Sequence, residues 1–117
     1  MATPNLLSLT TITPKTAVQA ITTAATAIVT NSTASNTVLK ISALYISNVD
    51  GIDNEEVTVD VFRNSVAYHI AKTVVVPADA SLDVINKSIY LEEGDTLRLT
   101  AGSNSKLQAV CSYEEIQ

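Results

Sequence analysis

The chain has 117 residues, 46% of them apolar and only 16% charged, with a net charge of −5 and an isoelectric point near 4.6. That size fits a single domain whose core needs neither disulfides nor metal, and one cysteine excludes an internal disulfide framework. The seven Lys and Arg residues are scattered singly, which excludes the basic clusters that nucleic acid or an anionic membrane surface requires, and no run reaches the roughly 18 apolar residues of a membrane span.

The apolar set is dominated by Val, Ile, Leu and Ala, with one Phe and no Trp, and is mixed with abundant Thr and Ser. β-branched and hydroxyl side chains fit pleated, half-buried surfaces, so the composition points to strands. Low charge at this size also points to a surface partly covered by other subunits. In chain order, "MATPNLLSLTTITP" has neither a basic start nor a long apolar core, so it does not read as a secretory signal. Its two prolines bracket Leu7 and Leu9, which predicts an extended arm or edge strand over residues 1–16. "TAVQAITTAATAIVT" (Thr16–Thr30) carries too many interior threonines for a helix and predicts two short strands or one bent strand. "NSTASNT" follows as a polar loop.

"VLKISALYISNV" (Val38–Val49) predicts a long strand with apolar residues on both faces: Leu39, Ile41, Ala43 and Tyr45 on one, Leu44 and Ile46 on the other. After the turn "DGIDNE", "EVTVDVFR" alternates with Val57, Val59 and Val61 inward. A turn at Asn64-Ser65 leads into "VAYHIAKTVVV", which Pro77 ends. "SLDVI", "SIYL", "TLRLTA" and "KLQAVCSY" complete the series, each bounded by turn residues. The reading is all-β: a single β-sandwich or jelly-roll-like domain over residues 17–117, of about eight or nine short antiparallel strands, preceded by the 1–16 arm.

Few residues invite chemistry. His69 and Cys111 are single and distant in sequence, and Cys111 shares its face with Leu107 and Ala109, so a small buried hydrophobe is the expected role. One His and one Cys cannot form a structural zinc site. "DGIDNEE" gathers oxygen ligands but lacks calcium-loop spacing, so a hairpin tip is expected. In "YLEEGDTLRLTAG", the carboxylates Glu92, Glu93 and Asp95 crowd around Gly94 at what reads as a wet turn, without the contrasting surroundings an acid/base pair needs. The four tyrosines sit within apolar alternations, which favours core or interface packing over a sugar platform. No catalytic, metal or cofactor residue is therefore expected, and a binding or structural module is.

"ALYISNVDG", "VTVDVF", "YLEEGDTLRLTAG" and the terminal "CSYEEI", in that order, resemble small virion proteins of tailed bacteriophages, particularly those infecting cyanobacteria and marine bacteria. The resemblance spans residues 38–117. It implies a virion structural protein assembled in the host cytoplasm, with no enzymatic activity. The expected role is a head decoration (cement) protein, a homo-oligomer and preferably a trimer, clamping neighbouring major capsid subunits. The alternatives are a neck, tail or baseplate adaptor and a host-glycan-binding module. Partner contacts are expected from the arm, at Thr3, Leu7, Leu9 and Ile12, and from the second face of the long strand, at Leu44 and Ile46.

Overall fold

The computed structural model describes residues 4–117, so Thr3 lies outside the described part. Nine strands and no helix make up the secondary structure of these residues. They are β1 (Ile12–Ala20), β2 (Thr26–Thr30), β3 (Val38–Asn48), β4 (Glu55–Arg63), β5 (Val66–Val76), β6 (Ser81–Asp83), β7 (Ile89–Leu91), β8 (Thr96–Ala101) and β9 (Leu107–Ile116).

The topology follows from one hairpin folded over on itself. Asn64 and Ser65 both take left-handed backbone angles (φ 51° and 63°), the two-residue geometry whose twist matches paired strands. From that turn outward the two halves of the chain pair antiparallel in nested order: β4 with β5, β3 with β6 and β7, β2 with β8, and β1 with β9. Rolling this long ribbon adds two further pairings, β3 with β9 and β4 with β8. The result is two sheets, A (β1-β9-β3-β6, with β7 also on β3) and B (β2-β8-β4-β5). This is the jelly-roll form of a β-sandwich.

The segment Thr16–Thr30 resolves into the second half of β1 and the whole of β2, which belong to different sheets and are joined where the chain crosses between layers. β1 begins at Ile12, so residues 12–16 are the first half of an edge strand paired with Ser112–Ile116. Ahead of it, the N–H groups of Thr10 and Thr11 donate to the Gln117 carbonyl, at 2.7 and 2.8 Å. The piece read as an arm is thus tied to the end of its own sheet, and Pro4 and Leu6 border a shallow cleft there with Val38 and Tyr90.

The core between the sheets is almost wholly aliphatic. Leu39, Ile41, Leu44, Ile46, Leu107, Ala109 and Cys111 from sheet A meet Val57, Val59, Leu97 and Leu99 from sheet B, all buried. Burial of such side chains is the main favourable term in a domain of this size. The expectation that Leu44 and Ile46 face a partner is corrected here: both have no exposed surface. The cause is a β-bulge. Ile41 pairs with Tyr113 and Ala43 with Ser112, leaving Ser42 without a partner on β9. One extra residue inverts the alternation. Leu39 and Ile41 before the bulge, and Leu44 and Ile46 after it, therefore all point inward, while Ala43 and Tyr45 point out. Leu44→Ala and Ile46→Ala should each cost about 2–5 kcal/mol in chemical denaturation, as large-to-small core changes do, and Tyr45→Ala about 1 kcal/mol or less. Equal, small effects at all three positions would contradict the bulged register.

Candidate partner interface

On the outer face of sheet A the bulged register aligns side chains in rows across the strands. Val18 of β1 stands opposite Val110 of β9, which stands opposite Tyr45 of β3. All three are open to solvent, at 73%, 42% and 48%. The neighbouring rows are small and uncharged: Thr16–Ser112–Ala43 on one side and Ala20–Gln108–Ser47 on the other. Charge appears only at the margins. Lys40 and Glu114 oppose each other toward one end, and exposed Asp83, on the short edge strand β6, stands opposite Tyr45 and ends the central row. An apolar centre with a polar rim is the anatomy of a protein contact surface.

The outer face of sheet B is different. Asp60, although on the outer side of β4, is only 2% exposed, because it accepts a 2.9 Å hydrogen bond from Arg98 Nε. The Arg98 guanidinium also lies 3.9 Å above the Phe62 ring. This charge is already paired and covered within the chain, so the face is self-satisfied.

The turn Glu92-Glu93-Gly94-Asp95 is not the wet tip expected from its composition. Asp95 has no exposed surface and Glu93 is 4% exposed. Asp95 accepts from Arg63 Nε at 2.6 Å and Arg63 Nη2 at 2.5 Å, and also from the Glu92 backbone N–H at 2.9 Å. These bonds hold the Arg63 guanidinium still further above its ordinary range. Glu93 Oε2 accepts from the Asn36 N–H at 2.6 Å, whereas its Oε1 has no partner. Gly94 (φ 88°) supplies the turn's left-handed residue, and its N–H donates to the Asn31 carbonyl. The carboxylates are a latch joining the β7–β8 turn to the end of β4 and to the β2–β3 loop. Glu92, 55% exposed at its side chain, is the only one of the three at the surface.

The other expected sites resolve similarly. Asp50 Oδ1 accepts from the N–H groups of Ile52 and Asp53, and these bonds, with Lys106 nearby, hold its carboxyl below the usual range. Lys106 Nζ lies 3.2 Å from Asp53 and 3.6 Å from Asp50, so one lysine partly offsets the acidic run. Among the described residues no cluster of three or more His, Cys, Asp or Glu side chains is arranged to hold a metal ion. His69 is exposed on β5, whereas Cys111 is buried inside sheet A, and burial pushes its thiol up to about 11. The two do not meet.

Of the arm residues, Leu7 is 94% exposed and Ile12 54%, while Leu9 is half-buried. Asn5 turns this segment by accepting the Leu7 N–H on its side chain at 2.9 Å. Sequence reasoning missed Val18, Val110 and Tyr45 as a set. Each lies in an ordinary alternating strand, and only the register between strands places them in one row. Tyr68 and Tyr90, also exposed, flank a cleft of about 430 Å³ on the open side of the sandwich, lined with Val61, Ile70 and Ile89.

No family model matches the chain, and no curated protein matches it either. Among solved structures, a chain described under "Bacillus endospore appendages form a novel family of disulfide-linked pili" is similar over 98% of this chain and 95% of that one, with a TM-score of 0.55 and 14% identity. At that identity the likeness shows the fold, a small two-layered all-β domain.

The latch gives a direct test. Asp95→Ala strips a buried partner from Arg63 and should lower stability by about 2–3 kcal/mol, less than the roughly 3–5 kcal/mol of a fully buried pair because Arg63 is itself 42% exposed. Glu92→Ala should cost about 1 kcal/mol or less. Urea denaturation of both variants checks the contrast, and equal losses would contradict it.

Proposed function

We propose that this chain is a structural subunit of a repeating protein assembly, and that the assembly is a phage virion in which it serves as a head decoration protein. The observation that carries the structural reading is the outer face of sheet A, with Val18, Val110 and Tyr45 exposed in one row and charge confined to its margins. A monomer gains nothing by keeping such a row in water, and a surface of this kind marks contact with another protein. The ordered motifs from "ALYISNVDG" to "CSYEEI" support the virion placement. A subunit that binds only the assembled lattice stabilises it by mass action, without chemistry.

A second reading, a fibre subunit, is favoured by the fold likeness to a chain from Bacillus pili. Those pili are described as disulfide-linked. This chain's one cysteine is buried in its core and does not offer such a link, so a fibre of this subunit would rest on non-covalent contacts. A host-glycan-binding role draws on the Tyr68–Tyr90 cleft. It predicts saturable glycan binding that Tyr90→Ala abolishes, and a flat glycan array removes it.

Locating the labelled chain on purified particles by electron microscopy tests the proposal. Copies distributed over the head in lattice-matching number support decoration. A ring of few copies at the neck or tail would move the chain there, and absence from particles would overturn the virion reading.

A further inference from the structure

We infer that the outer face of sheet A binds the same face of a second copy of this chain, sheet against sheet, about a two-fold axis. This rests on the structural-subunit reading and names the partner for its surface.

Charge is the first argument. The chain carries −5 overall, yet the middle three rows of this face hold no charged residue on β1, β9 or β3. A strongly charged partner would find nothing there to pair with. A second copy of the same face brings no like charges to the Val18–Val110–Tyr45 centre; charge enters only at the rim, where Lys40 opposes Glu114 and Asp83 of β6 stands beyond Tyr45. An isologous contact requires this kind of self-complementarity.

Size is the second argument. Nine residues of strand at about 3.3 Å each and the three long strands β1, β9 and β3 at about 4.8 Å each give a patch of roughly 30 by 14 Å in projection, to which three-residue β6 adds only a corner. A contact of this size falls toward the small end of specific interfaces, which fits reversible rather than permanent association. Sheets packed this way lie about 10 Å apart with strands turned by about 30°, so the two Val18–Val110–Tyr45 rows would cross near the axis.

The edges offer the main competing mode, strand addition, and each is blunted. β1 contains Pro14, which has no N–H to give a ladder, and Lys15, whose Nζ is tied to Glu115 at 3.0 Å. β5 carries Lys72 and is broken by register shifts opposite Val57–Val59 and Val59–Asp60. Thr73 is held there at φ 47°, with its N–H donated to Thr58 Oγ1. β2, β6 and β7 are five, three and three residues long. An apolar face between protected edges directs association through the face.

Sedimentation velocity of the full chain over a range of concentrations tests this. The wild type is expected to show reversible dimerisation. Val110→Lys, and separately Val18→Lys on the exposed edge strand, should each raise the dissociation constant about tenfold or more, with circular dichroism and melting temperature retained. Thr100→Lys on the outer face of sheet B should leave association unchanged. A wild type that stays monomeric overturns the inference, as does an oligomer, trimer included, that both lysine variants leave intact. Either result leaves the structural-subunit reading standing if the chain is still found in particles, so the two failures are distinguishable.

Discussion

The extra residue at Ser42 is the constraint on which the rest of this domain depends. β3 is the central strand of sheet A, bonded to β9 on one side and to both β6 and β7 on the other. Without the bulge, its apolar residues would divide between two faces, and sheet A would need a partner layer on each side. With it, Leu39, Ile41, Leu44 and Ile46 all enter one core, and the opposite face is left to Ala43, Tyr45 and Ser47. The bulge thus decides both what stabilises the fold and what the molecule presents outward.

Two buried asparagines hold the corners that the bulged sheet creates. Asn31 donates from its side chain to the carbonyls of Thr37 and Leu91, at 2.8 and 2.9 Å, fixing the β2–β3 loop beside β7. Asn48, at the far end of β3, donates to the carbonyls of Asp53 and Val76, both at 2.9 Å. Backbone groups that leave a sheet at a corner cost free energy if buried unpaired, and these side chains satisfy them. Together with the Arg63–Asp95 pair they let a thin, almost purely aliphatic core suffice, with no aromatic ring fully inside it.

Most of the strands were legible because turn residues punctuate them and because the sequences of β4 and β8 alternate without interruption. The jelly-roll connectivity was legible only as a class, since strand count and spacing do not say which strands neighbour one another. What the sequence concealed has physical reasons. "LKISALYI" satisfies a two-faced strand as well as a bulged one, and nothing local to Ser42 distinguishes them, so Leu44 and Ile46 read as surface when they are core. Glu93 and Asp95 read as solvated because their partners, Asn36 and Arg63, are 57 and 32 residues away. The row Val18–Val110–Tyr45 was hidden for the same reason: it draws on three strands from both ends and the middle of the chain.

The central claim is that sheet A turns one face to its own core and the other to a neighbouring molecule. A thiol introduced by Tyr45→Cys tests it most directly, with Leu44→Cys as the inward counterpart. Alkylation rates followed by mass spectrometry over a concentration series should show position 45 reacting fast in dilute protein and slowing as association sets in, while position 44 stays protected throughout. Equal reactivity at the two positions, or a rate at position 45 that ignores concentration, would contradict the account.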